Sequence, residues 1–329
     1  MKQMELVYQI MEQENINEES AIKYIISNIM KNNGIPEEEA VKAFFKLSDE
    51  RHNKIGKEII NVYLFDKYPV EKPKAIVNIA PPASGKTGLN GFSANEFVDN
   101  NVVIINSDEL KPYHPYIDVI AKYYPQYYTK VTDQESNTWT SDLFDTALAQ
   151  GYNVIFEGTG KNARILNTIK EKMKGYDVTV RGMAVNEMNC LISILERYEG
   201  QVQTKGWGRL VVIDHFLETY GNMPETIDEI EKSRIVNSVE VYKRGERVNK
   251  PRKIYDSNDR KNGRFPNAKF AVLGTRQEDE EVANAYFEEK KEKLMKSLNR
   301  ENVSDAEKII INRIVRLNEN YNEKKTAIR

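Results

Sequence analysis

The stretch IVNIAPPASGKTGLN, residues 76–90, decides how the rest of the chain is interpreted. It joins an apolar run to a loop that ends in Gly85, Lys86 and Thr87. A buried strand, a glycine-containing loop and a helix in this order are typical of a phosphate-binding loop with the pattern G-x-x-x-x-G-K-[ST]. The match is complete except at the first position, where Ala80 stands in place of glycine.

The loop is expected to hold ATP through its backbone. In such loops the N–H groups converge on the phosphates, and the following helix adds its positive end. Lys86 would contact the β- and γ-phosphates, and the Thr87 hydroxyl would bind Mg²⁺. We expect Ala80 to be tolerated if its φ stays negative, because only a positive φ requires glycine. The candidate nucleotide-binding residues are Pro82, Ala83, Ser84, Gly85, Lys86 and Thr87. A glycine-lysine turn without a ligand is the alternative.

The composition excludes several classes of partner. The 329 residues carry a formal net charge of −2, whereas binding to a phosphate backbone favours a basic surplus. No apolar run approaches the roughly 20 residues that cross a bilayer. The single cysteine, Cys190, fits a reducing compartment and is expected to be a packed thiol. We therefore expect a cytoplasmic protein that binds neither nucleic acid nor membrane.

The chain is predicted to be an α/β protein. We expect a P-loop kinase-like parallel sheet flanked by helices, with helical extensions at both ends. The predicted parts are an N-terminal helical extension at 1–70, a kinase core at 71–260 and a C-terminal helical extension at 261–329. The predicted strands are AIVNIA, NVVIINSD, YNVIFEGTG, YDVTVRGMAV and RIVNSVEVYK.

Two predicted strands end in a carboxylate, at Asp108 and Glu157. In a kinase, Asp108 could accept the proton of an attacking hydroxyl, although it could equally cap the following turn. Glu157 could hold Mg²⁺ through water or bind a substrate hydroxyl. Position alone favours Asp108 only slightly as the base.

Two arginines follow the fourth predicted strand. Arg197 lies near the predicted end of the next helix, and Arg209 lies in a glycine-containing loop before another helix. Arginines on such a loop could offset the charge on a transferred phosphoryl group. Exposed salt bridges, worth under about 1 kcal/mol, are the alternative role.

Five motifs in order resemble the zeta-toxin family. They are PPASGKT, IINSDELKPYHPY, GYNVIFEGTG, MAV followed by LERYE, and GRLVVIDHF. The resemblance as a whole runs from about residue 75 to about residue 256. The resemblance implies the toxin of an epsilon/zeta toxin–antitoxin system. Such a kinase would use ATP and Mg²⁺ to phosphorylate the 3′-hydroxyl of the N-acetylglucosamine in UDP-N-acetylglucosamine.

The resemblance also implies a role for each matching residue. Asp108 matches the catalytic base, while Lys86 and Thr87 match the phosphate- and metal-binding pair. The implied catalytic residues are Asp108, Lys86, Arg197 and Arg209. The implied substrate-binding residues are Asp108, Glu157, Thr159, Lys161 and Thr168.

The sequence departs from the family pattern in places. Ala80 and Ala83 replace glycines, and Lys161 stands where the family often has arginine. A kinase with another acceptor, such as another sugar nucleotide, a nucleotide or an antibiotic, is therefore an alternative. A catalytically inactive nucleotide-binding scaffold is a third possibility.

The expected protein partner is an antitoxin. Residues 1–46 lie outside the region that resembles the family core. This helical segment could inhibit the kinase within the same chain, as an antitoxin would. A stabilising cap is the alternative role for the segment.

Overall fold

The structure is a computed structural model that describes residues 2–161, 164–245, 250–278, 280–299 and 303–328. The α-helices are α1 (Lys2–Glu14), α2 (Glu18–Asn33), α3 (Glu37–Phe45), α4 (Asp49–Leu64), α5 (Lys86–Ala94), α6 (Ser107–Leu110), α7 (Ile117–Tyr123), α8 (Tyr128–Ala149), α9 (Arg164–Lys172), α10 (Glu187–Lys205), α11 (Ile213–Ser233), α12 (Ala268–Glu278), α13 (Glu280–Leu298) and α14 (Asp305–Ile328). The strands are β1 (Lys74–Ile79), β2 (Val103–Ile105), β3 (Val154–Gly158), β4 (Asp177–Met183), β5 (Ser238–Lys243) and β6 (Arg252–Asp256). None of the described helices has the length and apolar character that crossing a bilayer requires.

The strands form one sheet with the order β2-β3-β1-β4-β5-β6. Neighbouring strands from β2 to β5 are parallel, and β6 pairs with β5 in the antiparallel direction. Their apolar runs are buried, as expected of a parallel sheet with helices on its faces. The predicted α/β, P-loop kinase-like fold is confirmed, and the antiparallel edge strand β6 is an addition to it.

Two element boundaries differ from the prediction. β2 ends at Ile105, so Asp108 lies on α6 and not at the end of a strand. The strand stops because the chain enters a helical turn at Ser107. Helix α10 continues to Lys205, so Arg197 lies within the helix and not near its end. The helix ends where Gly206 adopts a left-handed φ of 78°, which terminates a helix readily.

The chain divides into two compact units. Unit 1 contains Met1–Ile60 and Ser107–Asp142, and unit 2 contains Asn61–Asn106 and Leu143–Arg329. The whole sheet belongs to unit 2, as do the C-terminal helices. The division into segments at residues 70 and 260 stays a prediction.

In unit 1 the N-terminal helices pack against the segment 107–142. The buried Glu135 accepts a hydrogen bond from the Leu47 N–H at 3.1 Å and pairs with His52. The indole of Trp139 donates to the His52 carbonyl at 3.1 Å. Phe45 is fully buried and contributes to the same core. Segments far apart in sequence therefore form one packed body.

In unit 2 the C-terminal helices pack against α10. Phe287 on α13 and Ile314 on α14 are fully buried in one cluster with α10. The hydroxyl of Tyr198 on α10 donates to Glu307 at 2.6 Å. Cys190, also on α10, is fully buried, and burial raises the pKa of its thiol to about 12. The cysteine is thus the packed side chain that the sequence indicated.

Candidate active site

The predicted phosphate-binding loop connects β1 to α5. Gly85 adopts a φ of 103° and precedes the helix, so Lys86 is the first helical residue, as predicted. The N-cap residue Gly85 supplies no side-chain hydrogen bond to α5, whose first N–H groups are the kind that bind phosphate oxygens. Thr87 is exposed on this turn, and Ala80 is buried with a negative φ. An alanine at position 80 is therefore compatible with the loop.

In the middle of the loop, an alanine occupies a position where the backbone is strained. Ala83 adopts a φ of 58°, a left-handed conformation that alanine enters at a cost of about 1–2 kcal/mol. The next residue, Ser84, is buried, and both its N–H and its hydroxyl donate to the Pro81 carbonyl, at 3.3 and 2.8 Å. Pro82, which lies between Pro81 and Ala83, is half-buried. The loop is thus turned tightly around Pro82 and Ala83.

Glu157 at the carboxyl end of β3 holds the loop lysine. The Lys86 ammonium lies 2.9 Å from Oε1 of Glu157. Asn90 and Asn106 each donate to Oε2 of Glu157 at 2.9 Å. The Glu157 side chain is only 8% exposed, so these partners replace water around the carboxylate. The structure therefore brings together Lys86 and Glu157, two of the residues that the sequence selected.

Asn90 and Asn106 were not identified as site residues from the sequence, although the position of Asn90 gave an indication. Asn90 lies four residues after Lys86, so the two side chains share one face of α5. Its Oδ1 accepts a hydrogen bond from the buried Asn78 at 2.7 Å. Asn78 interrupts the apolar run of β1, and a polar residue at such a position indicates a buried partner.

A polar row continues across the sheet in register with Glu157. Asn78 pairs with Glu157 of β3 on one side and with Arg181 of β4 on the other. Arg181 is buried, and its guanidinium donates to Glu240 of β5 and to Ser93 of α5, both at 2.8 Å. This row ties α5 to the sheet, and its charges are paired, as buried charges must be.

Helix α11 fixes the segment that follows β3. The Thr226 hydroxyl donates to the Gly160 carbonyl at 2.9 Å, and Asn222 donates to the Lys161 carbonyl at 3.1 Å. Gly160 has a φ of 71°, and a Cβ there would lie 2.4 Å from Ile79. The half-buried Thr159 precedes this glycine, so its backbone position is set by the same contacts.

The other predicted substrate residues have different surroundings. The ammonium of Lys161 pairs with Glu218 of α11 at 2.7 Å. The Thr168 hydroxyl, on α9, donates to the Arg164 carbonyl of its own helix at 3.1 Å. Roles in substrate binding for Thr159, Lys161 and Thr168 stay predictions.

The two predicted catalytic arginines lie on and after α10. Arg197 is exposed, and the backbone N–H of Arg209 donates to Gln201 at 2.8 Å. Gly208 fixes the path of the chain here, because a Cβ at this position would lie 2.5 Å from the Tyr198 carbonyl oxygen. Arg197 is therefore carried by a helix and Arg209 by a constrained turn, while their contact with phosphates stays a prediction.

Asp108, the predicted base, lies in unit 1. Its carboxylate is 44% exposed and lies 2.9 Å from the Lys111 ammonium, which also contacts Asp133 at 2.7 Å. The Lys111 side chain is only 2% exposed, so a buried cation orients the exposed carboxylate. Its role at the phosphate loop of unit 2 stays a prediction.

Comparisons with known proteins agree with this architecture. The zeta-toxin family model matches residues 61–260. A toxin zeta of Enterococcus hirae is 27% identical over 206 residues, which cover 62% of this chain and 70% of that protein. A toxin zeta of Streptococcus pyogenes is 29% identical over 181 residues, which cover 54% of this chain and 63% of that protein.

A solved structure from the PezAT chromosomal toxin–antitoxin system of Streptococcus pneumoniae has the same fold. Its TM-score is 0.63 at 18% identity, over 77% of this chain and 98% of that chain. The matched family region begins before β1, ends after β6, and includes the phosphate loop, Glu157 and both arginines. Since it covers more than half of the sequence, this chain belongs to the zeta-toxin family.

Proposed function

We propose that this protein transfers the γ-phosphoryl group of ATP to the 3′-hydroxyl of the N-acetylglucosamine in UDP-N-acetylglucosamine. Zeta toxins are kinase-like phosphotransferases, and the chain belongs to that family. The observation that carries the proposal is the phosphate loop, in which Lys86 opens an uncapped helix and lies 2.9 Å from the carboxylate of Glu157.

The residues of the loop fit ATP and Mg²⁺. The N-cap residue Gly85 gives the first turn of α5 no side-chain cap, so its N–H groups suit phosphate oxygens. The exposed Thr87 hydroxyl suits a hard cation such as Mg²⁺, which prefers oxygen ligands. When bound, Mg²⁺ would neutralise part of the phosphate charge. The Lys86 ammonium has three N–H donors and can bind Glu157 and a phosphate together.

The proposed reaction is an in-line displacement at phosphorus. The acceptor oxygen forms a bond to the γ-phosphorus, the bond to the bridging oxygen breaks, and ADP leaves. Asp108 accepts the proton of the acceptor hydroxyl. Arg197 and Arg209 offset the charge on the transferred oxygens, a role that in GTPases is worth roughly 10³–10⁵ in rate.

The acceptor would be bound by residues at the carboxyl end of β3. Glu157 and Thr159 are proposed to hold the sugar nucleotide, with Lys161 and Thr168 as further contacts. Lys161 supplies a charge but lacks the planar fork of arginine, which weakens the specific match to the family's acceptor. Another sugar nucleotide, a nucleotide or an antibiotic is therefore the second candidate acceptor.

The proposed biological role is that of a toxin with an antitoxin partner. Relatives are named as toxins, and the solved structure with the same fold belongs to a toxin–antitoxin system. A sugar-nucleotide substrate favours action in the cytoplasm. Whether residues 1–46 replace or supplement a separate antitoxin is considered at the end of the Discussion.

Phosphoryl transfer tests the proposal directly. The full chain, incubated with ATP and Mg²⁺ and a panel of UDP-sugars, should convert UDP-N-acetylglucosamine to a product heavier by one phosphoryl group. Mass spectrometry and NMR would locate that group on the 3′-oxygen. Asp108→Asn should lower kcat by roughly 10²–10⁴, because the general base is lost. Lys86→Ala should weaken binding of ATP.

Each other outcome selects an alternative. Transfer to a different acceptor would support the kinase activity and reject UDP-N-acetylglucosamine as the substrate. Nucleotide binding without transfer to any acceptor would leave a binding scaffold. The variant Asp145→Asn, an exposed carboxylate of α8, is the control and should retain activity.

A further inference from the structure

Arg244, which the family motifs do not include, contacts the phosphate loop directly. It follows the last residue of β5. Its Nε donates to the Ser84 carbonyl at 3.1 Å, and its Nη2 donates to the Ala83 carbonyl. Nη2 also lies 3.2 Å from the hydroxyl of Ser193 on α10. One guanidinium therefore joins the loop, the end of β5 and α10.

The two carbonyls belong to the strained part of the loop. Ala83 has a φ of 58° and Gly85 has a φ of 103°. Left-handed residues help to form concave turns in which backbone N–H groups face an anion and carbonyls are left for other partners. Glycine would adopt the conformation of residue 83 freely, whereas alanine keeps it only when its surroundings enforce it.

We propose that Arg244 is a positioning residue that holds the phosphate loop in its nucleotide-binding conformation, and that it compensates for alanine at position 83. The inference rests on the proposed nucleotide-binding function. The planar guanidinium has donors in a fixed fork, which matches two neighbouring carbonyl groups better than an ammonium does. The alternative is that Arg244 contributes only its positive charge to phosphate binding.

A substitution that keeps the charge separates these roles. Arg244→Lys retains the cation and loses the fork, so the loop should leave its binding conformation part of the time. The apparent dissociation constant rises by the inverse of the competent fraction, and we expect an increase of about tenfold. Arg252→Lys, an exposed arginine of β6, is the matched control and should bind as the wild type does.

Rescue by glycine tests the link to Ala83. The effect of Ala83→Gly on affinity is measured first in the wild type, where Arg244 already holds the loop, and serves as the reference for the coupling. In the Arg244→Lys background the same change should recover about fivefold, because the left-handed conformation no longer carries a penalty. A role limited to folding in general would not produce this coupling.

The experiment uses the full chain with two readouts. Calorimetry measures the affinity for adenylyl imidodiphosphate with Mg²⁺, and hydrogen–deuterium exchange follows the peptide 80–88 without nucleotide. Exchange should accelerate in Arg244→Lys and slow again in the double variant. Wild-type affinity and exchange in Arg244→Lys, or an equal effect of Ala83→Gly in both backgrounds, would overturn the proposal. If the wild type binds no nucleotide, the proposed function fails, while exchange still decides whether Arg244 holds the loop.

Discussion

Glu157 shows how neighbouring side chains fix the orientation of a buried carboxylate. One oxygen holds Lys86, and the other accepts hydrogen bonds from Asn90 and Asn106. A buried carboxylate with these partners has a fixed orientation. Because parallel α/β folds bind ligands at the carboxyl ends of their strands, the place of Glu157 near the end of β3 supports its proposed role.

His114 yields a pH prediction for unit 1. Burial lowers the pKa of its imidazole to about 4 from the ordinary 6.5, and its Nδ1 accepts the Tyr116 N–H at 3.3 Å. The unfolded chain therefore binds a proton near pH 6.5, before the folded chain does. Above pH 6.5 the imidazole is uncharged in both the folded and the unfolded chain, so it adds no pH dependence to stability. As the pH drops from about 6.5 towards 4, the free energy of unfolding falls by up to about 3 kcal/mol.

Urea unfolding at several pH values measures this effect. Trp139 is buried in unit 1, so its fluorescence in a Trp207→Phe background reports on that unit. His114→Gln should show a smaller loss of unfolding free energy across the same pH interval. An identical pH slope in both proteins would contradict the assignment.

Residues of the site differ in how far they could be predicted. Lys86 follows from a local motif, because the loop and its helix are adjacent in sequence. Asn78 bonds to Asn90 of α5 and Arg181 bonds to Glu240 of β5, so their partners depend on the packing of α5 on the sheet and on the register of β4 with β5. Arg244 carries no motif and lies over 150 residues from the loop it contacts, so only the fold identifies it.

Helix α10 depends on both of its ends and on the helices that cover it. Asn186 caps its first turn by accepting the Met188 N–H at 2.8 Å, and Gly206 ends it. One face is buried against α13 and α14, while Arg197 lies on the exposed part. The C-terminal helices therefore stabilise the element that carries a proposed catalytic arginine.

Phe287→Ala tests this dependence. Removing a fully buried aromatic side chain should reduce the free energy of unfolding by about 3–5 kcal/mol. Thermal unfolding monitored by circular dichroism would measure the loss. Phe270→Ala is the matched control, since Phe270 of α12 is 53% exposed and should change stability little. Equal effects of the two substitutions would show that α13 contributes nothing to the core of unit 2.

Elements with strong local signals were predicted well. The N-terminal segment was predicted to be helical, and the motif predicted the start of α5 at Lys86. The end of α10 was misplaced because Gly200 within the helix resembles a stop signal, whereas only Gly206 has a positive φ. The strand β6 was missed because it is short and rich in charge, which is common for an edge strand.

At the scale of the whole molecule, the sequence did not reveal which segments form unit 1. The N-terminal segment was predicted to be helical, but the apolar spacing of a helix indicates a buried face and not its partner. The partner is the segment 107–142, which also carries Asp108. The Arg51 guanidinium donates to the Tyr116 hydroxyl at 2.9 Å, and the ring of Phe45 packs against Tyr124.

This packing bears on the hypothesis that residues 1–46 inhibit the enzyme in cis. Inhibition predicts higher ATP turnover when the segment is loosened. Support of the segment 107–142 predicts lower turnover, because the loop with Asp108 and Lys111 would lose its core. The contacts of Phe45, which is fully buried among aromatic rings of that segment, favour support.

Phe45→Ala distinguishes the two roles better than a deletion, which would expose most of the core of unit 1 at once. We expect reduced transfer to acceptor and faster tryptic cleavage within 107–142, because the cavity left by Phe45 destabilises unit 1 by about 3–5 kcal/mol. Tyr24→Ala, on the same N-terminal segment but 47% exposed, should behave as the wild type. Higher turnover in Phe45→Ala with unchanged cleavage would instead favour a segment that restrains the enzyme, because release would then occur without loss of the fold around Asp108.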